Sequence, residues 1–339
     1  MSSEKTALHQ SSMATMRKCP RQYHYSHVLG LRKNSERDYF RFGTIWHSAM
    51  EMHDMPLEDV VAMIDTHYPD GSGYDMEIER NTVVALLTGH RWIYRTSDLR
   101  IVAPEVAFDI PLINPETGAA SRTFTVAGRI DAIGDMDGKN VVVEYKTSSD
   151  AIESDDYWMR LRYDAQVSTY VHAAQAMGID ANTVIYDVTR KPTIAPRQIP
   201  LLDDSGCKIV LDSDGNRAYN KNGTPRQSAS SADGMIMQCR PETPEEFGAR
   251  LLEDITSRPP FYYQRREVIR LEDDITGYML ETWQQAKAII DATAGGRWFR
   301  NVGKFTCSGC DYSGLCLSGV ALGKNEIPSG YTKKEGYYE

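Results

Sequence analysis

This sequence of 339 residues lacks any apolar run long enough to cross a bilayer. Its N-terminus is polar and lacks the apolar segment of a secretory signal peptide, so we expect a cytoplasmic protein with no membrane partner. A phosphate loop of the form G-x-x-x-x-G-K-[ST] is also missing. The chain is therefore not expected to contain an ATP-driven motor of its own.

Positive charge is scarce, because 38 Lys and Arg residues face 47 Asp and Glu residues and give a formal net charge of −9. That balance argues against nucleic-acid binding over the whole surface, since phosphate contacts need positive charge nearby. Basic side chains nevertheless lie next to aromatic ones in two segments, 157–162 and 262–266. Four arginines in these segments are candidate DNA contacts, with a solvated face as the alternative: Arg160, Arg162, Arg265 and Arg266.

Cysteine is also rare, and four of the six cysteines form one pattern: Cys19, Cys307, Cys310 and Cys316. Disulfides are disfavoured in the cytosol, and three close thiols with a distant fourth fit either a [4Fe-4S] cluster or a zinc site. Cys19 and Cys307 lie near opposite ends of the sequence, so a shared metal centre would close most of the chain into a loop. We expect such a centre to stabilise the fold, without electron transfer as its main task.

The most informative motif is Gly128-Arg129-Ile130-Asp131 followed by Val141-Val142-Val143-Glu144-Tyr145-Lys146. A turn-rich stretch at 134–140 separates the two segments, which therefore predict an antiparallel hairpin. Alternate residues of a strand face the same side, so Glu144 and Lys146 point together and can meet Asp131. Two acids can hold Mg²⁺, and a lysine can stabilise charge on phosphate, as phosphodiester hydrolysis requires. The alternative is a surface hairpin with a solvated Glu and Lys.

Further segments flank this motif in a fixed order. They are Cys19-Pro20-Arg21-Gln22-Tyr23, Phe42-Gly43-Thr44-Ile45-Trp46-His47, Gln166-Val167-Ser168-Thr169-Tyr170 and the cysteine triplet. Together with G-R-I-D and E-Y-K, the series resembles the RecB-type branch of the PD-(D/E)XK nucleases. The resemblance is to the subset with an iron-sulfur cluster, as in the AddB nuclease domain and the CRISPR-associated RecB-like nucleases. The chain has Gly-Arg-Ile-Asp where the superfamily name has Pro-Asp, a variant common among RecB-type members.

The resemblance implies a role for each matching residue. The implied metal ligands are His47, Asp131, Glu144 and the backbone carbonyl of Tyr145. Lys146 would be the catalytic lysine, and Gln166 and Tyr170 would lie beside it in the site. The four patterned cysteines would hold the cluster, with iron-sulfur favoured over zinc. Glu105 is a weaker candidate for a residue that supports the metal ligands. Without the resemblance, His47 reads as an ordinary helix residue.

The order of apolar patterns predicts an α/β fold. Strands are expected at 102–112, 124–133, 141–146 and 183–189, and a helix at 156–177. By resemblance, this is a restriction-endonuclease-like core with a mixed central sheet flanked by helices, plus helical terminal segments joined by the metal cluster. One nuclease domain is expected over 1–339, with these parts: a first helix with Cys19 at 1–35, helices at 36–100, the catalytic core at 101–197, a polar insertion at 198–234, and C-terminal helices with the cysteine triplet at 235–339.

These features support one main hypothesis, a Mg²⁺- or Mn²⁺-dependent deoxyribonuclease. By resemblance, we expect an exonuclease on single strands or DNA ends, acting in recombination, repair or phage DNA processing in a bacterium or a phage-infected host cell. DNA is the expected partner, together with a helicase or recombinase. Two alternatives are a DNA-binding recombination-partner protein with little turnover, and a metal-stabilised scaffold that never touches DNA.

Overall fold

The computed structural model describes residues 5–34, 38–69, 71–319, 322 and 326–333. The chain divides into two compact units. The first, called the sheet unit, contains Met1–His53, Thr96–Val188 and Gln264–Glu339. The second, called the helical unit, contains Asp54–Arg95 and Thr189–Tyr263. Each unit is thus assembled from segments that are distant in sequence.

The strands in chain order are β1 (Thr6–Leu8), β2 (Leu31–Lys33), β3 (Arg100–Ile113), β4 (Ala120–Met136), β5 (Lys139–Ser148), β6 (Thr183–Arg190), β7 (Gln198–Pro200), β8 (Val210–Leu211), β9 (Ile236–Met237), β10 (Cys239–Pro241), β11 (Tyr263–Ile269) and β12 (Tyr331–Lys333). The α-helices are α1 (Gln10–Lys18), α2 (Pro20–Tyr23), α3 (Asp38–Glu51), α4 (Leu57–Asp65), α5 (Tyr74–Ile93), α6 (Asp155–Arg162), α7 (Ala165–Ala176), α8 (Pro244–Ser257), α9 (Pro259–Tyr262), α10 (Glu272–Gly295), α11 (Lys304–Cys307) and α12 (Ser313–Ser318). A π-helical turn spans His24–Val28. Within the residues that the structure describes, no helix is long and apolar enough to cross a membrane.

A mixed sheet in the order β1-β4-β5-β6-β11, with β3 also paired to β4, is the centre of the sheet unit. β1 is parallel to the first half of β4, whereas β3 is antiparallel to nearly all of it. β5 is antiparallel to the second half of β4 and follows it through a two-residue turn, Asp137-Gly138. Both turn residues have positive φ, 54° and 76°, as the commonest tight hairpin turns require.

Helices cover this sheet through apolar side chains at helical spacing. α7 packs on β3 and β5, and Val167, Val171 and Ala174 on one of its faces are fully buried. α10 packs on α7 and β3, α1 on α7 and α10, and α3 on β4 and β5. The expected α/β class, with a mixed central sheet flanked by helices, is therefore confirmed.

One predicted helix is wrong in its extent. The segment 156–177 forms two helices, α6 and α7, which are interrupted at Tyr163 and Asp164. The backbone of Asp164 is extended, with φ −69° and ψ 113°, and its side chain accepts a hydrogen bond from the amide of Gln166. Asp164 therefore caps a new helix, because aspartate satisfies an amide that has no partner within the first helical turn.

The terminal segments of the sheet unit meet through backbone pairing and a small apolar cluster. β2 and β12 are antiparallel, with Leu31 opposite Lys333. Leu31 also belongs to a buried group with Tyr25, Leu29 and Tyr312. The Tyr312 hydroxyl donates to the Leu31 carbonyl at 2.7 Å. These contacts hold the two ends of the described chain together.

The helical unit is organised by α5 and α8, which pack against each other. Gly89 permits their close approach, since a Cβ there would lie 2.5 Å from Cγ2 of Ile255. Glu242, which is 1% exposed, accepts two hydrogen bonds from Arg250 at 2.7 and 2.6 Å. The predicted polar insertion, 198–234, contains β7 and β8. These strands pair with β10 and β9, respectively, which directly follow the predicted segment.

A buried ion pair links β6 and β11 in the sheet unit. Arg265 places Nη2 2.7 Å and Nε 2.8 Å from Oδ2 of Asp187, which is 1% exposed. Arg265 also donates to Oγ of Ser97 at 2.8 Å. A carboxylate this deeply buried needs a counter-charge, and the arginine supplies it.

We predict that Arg265→Ala lowers the free energy of unfolding by about 3–5 kcal/mol, because it removes the arginine that pairs with the buried Asp187 carboxylate. Denaturant unfolding followed by circular dichroism measures the change. The matched control is the double variant Arg265→Ala with Asp187→Ala, which should recover much of the loss. Equal stability of Arg265→Ala and the wild type would show that the ion pair is not structural.

Candidate active site

Acidic side chains from β4 and β5 come together on one face of the sheet. Ala132 lies opposite Val143, and one further step of this register places Asp131 beside Glu144. The amide of Tyr145 donates to Oδ2 of Asp131 at 2.9 Å. Side chains directly opposite each other on antiparallel strands point to the same face, so the hairpin itself brings the two carboxylates together.

Burial shapes the ionisation of both acids. The side chain of Asp131 is 11% exposed, and burial raises its pKa to about 6, against the opposing effect of the Tyr145 amide. Glu144 is 1% exposed, and burial raises its pKa as well, a shift that the Asp131 charge adds to and Lys146 opposes. The negative charge of Asp131 thus disfavours a second negative charge on Glu144. Without a cation, both acids therefore resist ionising together.

Lys146 connects the acid pair to α7. Its Nζ lies 2.7 Å from Oε1 of Glu144, 2.9 Å from Oε1 of Gln166 and 3.6 Å from Oδ2 of Asp164. Nε2 of Gln166 then donates to the hydroxyl of Tyr170 at 2.9 Å. Burial would lower the pKa of Lys146, but the Glu144 and Asp164 carboxylates raise it, so the ammonium stays charged.

Asp164 belongs to this site although the sequence analysis did not select it. The same carboxylate that faces Lys146 also caps α7 through the Gln166 amide. The sequence does contain a signal for a helix start here, because Asp is a common N-cap residue and Asp164 lies two residues before Gln166. The apolar periodicity across the whole segment hid that signal.

His47 reaches the acid pair from α3. Its Nδ1 lies 3.5 Å from Oδ2 of Asp131, and its ring is only partly buried. Burial lowers the pKa of His47, an effect that the Glu144 charge opposes. A neutral imidazole can offer a lone pair to a metal.

Glu105 lies on β3 on the other side of Asp131. The β3–β4 register pairs Pro104 with Ala132 and Val106 with Ile130, which places Glu105 opposite Asp131. Its φ of 52° is left-handed, a conformation that non-glycine residues seldom adopt. Its Oε2 accepts from Nη1 of Arg129 at 2.8 Å, and its charge adds to the burial that raises the pKa of Asp131.

The candidate DNA-contacting arginines have different surroundings, all within the sheet unit. Arg160 pairs with Asp150 at 2.7 Å, and Arg162 is exposed. Arg266 lies over the Trp158 ring at 4.7 Å. Arg265 forms the ion pair with Asp187 described above. A DNA contact stays a prediction for each of the four.

The patterned cysteines lie where the terminal segments meet. Cys310 and Cys316 pack against the apolar cluster around Tyr312. Burial raises the pKa of the Cys310 thiol, and the nearby Cys19 thiol adds to the shift. The Cys310 amide also donates to the Cys307 carbonyl at 3.1 Å. Yet nowhere in the described ranges do three His, Cys, Asp or Glu side chains form a group able to hold a metal ion, so the cluster is not shown.

Within the described part of the chain, the acid pair does not form a complete metal-holding group either, but its donors suit Mg²⁺ or Mn²⁺. Oε2 of Glu144 is buried and receives no hydrogen bond from any described residue. Asp131 supplies a second carboxylate beside it. Hard divalent cations prefer such oxygens, and a buried oxygen without a donor costs free energy unless a cation or water meets it.

Comparison with known proteins identifies the family. A search of curated proteins gives no match. The crystal structure of SSO0001 aligns with 94% of this chain and 89% of that chain, at 12% identity and a TM-score of 0.34, which is too weak a likeness to assign a fold or a function. The family model of the PD-(D/E)XK nuclease superfamily matches residues 7–317. Because that match spans most of the chain, the protein belongs to the PD-(D/E)XK nuclease superfamily.

Proposed function

We propose that the chain hydrolyses DNA phosphodiester bonds with Mg²⁺ or Mn²⁺ held by Asp131 and Glu144. Family membership implies a metal-dependent nuclease. The observation that carries the proposal is the meeting of two buried acids and Lys146, with Oε2 of Glu144 left without a donor. His47 and the Tyr145 carbonyl would complete the ligand set, as the resemblance implies. When bound, the cation would supply Lewis-acid activation of water and screening of phosphate charge.

The other side chains orient these groups. Lys146 keeps its positive charge beside Glu144, so it can approach a phosphate oxygen and stabilise charge that develops there. Gln166 holds the lysine from the side of α7, and Tyr170 fixes the amide of Gln166 through its hydroxyl. Asp164 adds a second carboxylate near the ammonium. These contacts reduce the number of positions that the lysine can adopt.

The mode of cleavage is the finer part of the proposal. We propose an exonuclease that acts on single strands or DNA ends, in recombination, repair or phage DNA processing. The support is the resemblance of the ordered motifs to RecB-type nucleases, which would also suit a helicase or recombinase partner. We propose that residues 1–339 form one nuclease domain that acts in the cytoplasm.

We predict that Asp131→Ala abolishes Mg²⁺- or Mn²⁺-dependent cleavage, because it removes a ligand of the cation. Lys146→Ala should lower kcat by roughly 100- to 1,000-fold, because it removes a positive charge beside the phosphate. The assay uses end-labelled linear single strands beside circular single strands, and an exonuclease should spare the circles. Lys139→Ala, an exposed change on the same strand, is the matched control. Full activity in both site variants would remove the assignment, as would DNA binding without cleavage by the wild type.

We also predict that, in the presence of chelator and at neutral pH, Asp131→Asn raises the stability of the protein above that of the wild type. The folded pKa of Asp131 is raised from 3.8 to about 6, so the folded state binds more protons than the unfolded state and loses stability as pH rises through that window. Asn abolishes this loss, on the order of a few kcal/mol. Mg²⁺ or Mn²⁺ should then raise the Tm of the wild type but not of the variant.

The measurement is thermal unfolding from pH 4 to pH 8 with chelator and with metal, and Asp135→Asn on the same strand is the control. A wild type and an Asp131→Asn variant with parallel pH curves and equal metal response would contradict this account of the site.

We infer that Cys19, Cys307, Cys310 and Cys316 hold a [4Fe-4S] cluster, with zinc as the alternative. The inference is supported by the C-x2-C-x5-C spacing, the resemblance to the iron-sulfur subset, and the electrostatic proximity of Cys19 and Cys310. The pairing of β2 with β12 independently brings the two ends together. The cluster would then reinforce an existing contact between distant segments.

Protein purified without oxygen should therefore absorb visible light and contain iron and sulfide. Cys310→Ser should lose both and unfold more easily, by about 2–5 kcal/mol if the centre acts as a long cross-link. Cys207→Ser, in the polar insertion, is the control. A colourless native protein loaded with zinc would refute the iron-sulfur assignment.

A further inference from the structure

An exposed tyrosine directly precedes Asp164, the residue whose carboxylate faces the lysine of the candidate site. Tyr163 directly follows α6 and is 81% exposed. The next residue, Asp164, places Oδ2 3.6 Å from Nζ of Lys146. Consecutive Cα atoms are only about 3.8 Å apart, so the ring of Tyr163 begins one residue from a group that faces the lysine.

A buried arginine, Arg270, donates hydrogen bonds to the backbone on both sides of Tyr163. Arg270, which is 7% exposed, donates through Nη2 to the carbonyls of Arg162 at 2.8 Å and Asp164 at 3.3 Å. Its Nε donates to Oγ of Ser168 on α7 at 3.0 Å. The turn is held on both sides of Tyr163 while the ring itself remains in solvent. Such a ring loses little conformational freedom when a ligand contacts it.

The outer face of α6 continues this surface. Met159 lies in α6, four residues before Tyr163, and is 48% exposed. Arg162, which is exposed, lies between them in sequence. The inner face is already occupied, because Tyr157 and Trp158 are buried in the core of the sheet unit. The Tyr163 ring and about half of the Met159 side chain therefore remain exposed on the outer side.

We propose that Tyr163 and Met159 form a stacking platform for an unpaired DNA base next to the scissile phosphate, with Arg162 contacting the backbone. The proposal rests on the proposed function and names its substrate class as single-stranded DNA. Bases in a duplex are covered by their neighbours, whereas an unpaired base exposes its face to an aromatic ring. An arginine beside the ring supplies the charge that the strand requires.

The first test is binding in chelator, where no cleavage occurs. Fluorescence anisotropy of a labelled short oligo(dT) strand compares the wild type with Tyr163→Ala, Tyr163→Phe and Tyr163→Trp. Tyr163→Ala should weaken binding roughly 5- to 150-fold, the range for loss of one stacked base, while Phe and Trp retain it because they keep a ring. Tyr219→Ala is the matched control, since Tyr219 is 57% exposed but lies in the helical unit.

A second strand separates base contacts from phosphate contacts. It has the same length and charge as oligo(dT) but carries abasic sugars. The wild type and Tyr163→Ala should bind it equally. Arg162→Ala should weaken binding of both strands and reduce the salt dependence by about one phosphate contact.

The outcomes separate this proposal from the proposed function. Undiminished oligo(dT) binding by Tyr163→Ala, equal losses on both strands, or no oligo(dT) binding by the wild type would overturn the platform. If Tyr163→Ala binds oligo(dT) and cleaves it as the wild type does, the nuclease assignment stands and the platform fails. If the wild type binds through Tyr163 but cleaves nothing with Mg²⁺ or Mn²⁺, the platform stands and the nuclease assignment fails.

Discussion

The ion pair between the buried Glu144 carboxylate and the partly exposed Lys146 ammonium, 2.7 Å apart, is the contact on which the arrangement of the acid pair depends. A buried carboxylate is costly unless it is neutralised, and the lysine neutralises only one acid. Asp131 lies beside the pair and leaves it with excess negative charge. A divalent cation bound between the two acids would remove that excess. Charge and burial in the hairpin therefore support the proposed metal site.

Helix α7 and the groups of the candidate site share their supporting contacts. Asp164 starts the helix by capping it and also faces the lysine, so the helix start and the lysine position depend on one carboxylate. Gln166, on the first turn, contacts the lysine directly. Arg270 from the end of β11 holds the preceding turn. The end of α6 and the lysine are therefore both positioned by contacts to the turn at Asp164 and the start of α7.

The position of the acid pair could be predicted from the sequence, because strand alternation and a two-residue Asp-Gly turn decide where Asp131 and Glu144 meet. Other features depend on tertiary contacts that no local pattern encodes. β1 has only three residues and gains its pairing from β4. Arg265 looks like a basic surface residue, and only the neighbouring strand shows that its partner Asp187 is buried. The break at Asp164 was concealed because apolar residues continue at helical spacing across it.

The central claim is that Asp131 and Glu144 grip one divalent cation beside Lys146. Crystals soaked in Mn²⁺ and measured at a wavelength where manganese scatters anomalously test it most directly. The account predicts an anomalous peak within ligand distance of both carboxylates, and its loss in Asp131→Asn crystals. A structure with the two carboxylates turned apart, or with manganese bound elsewhere and none between them, would contradict it.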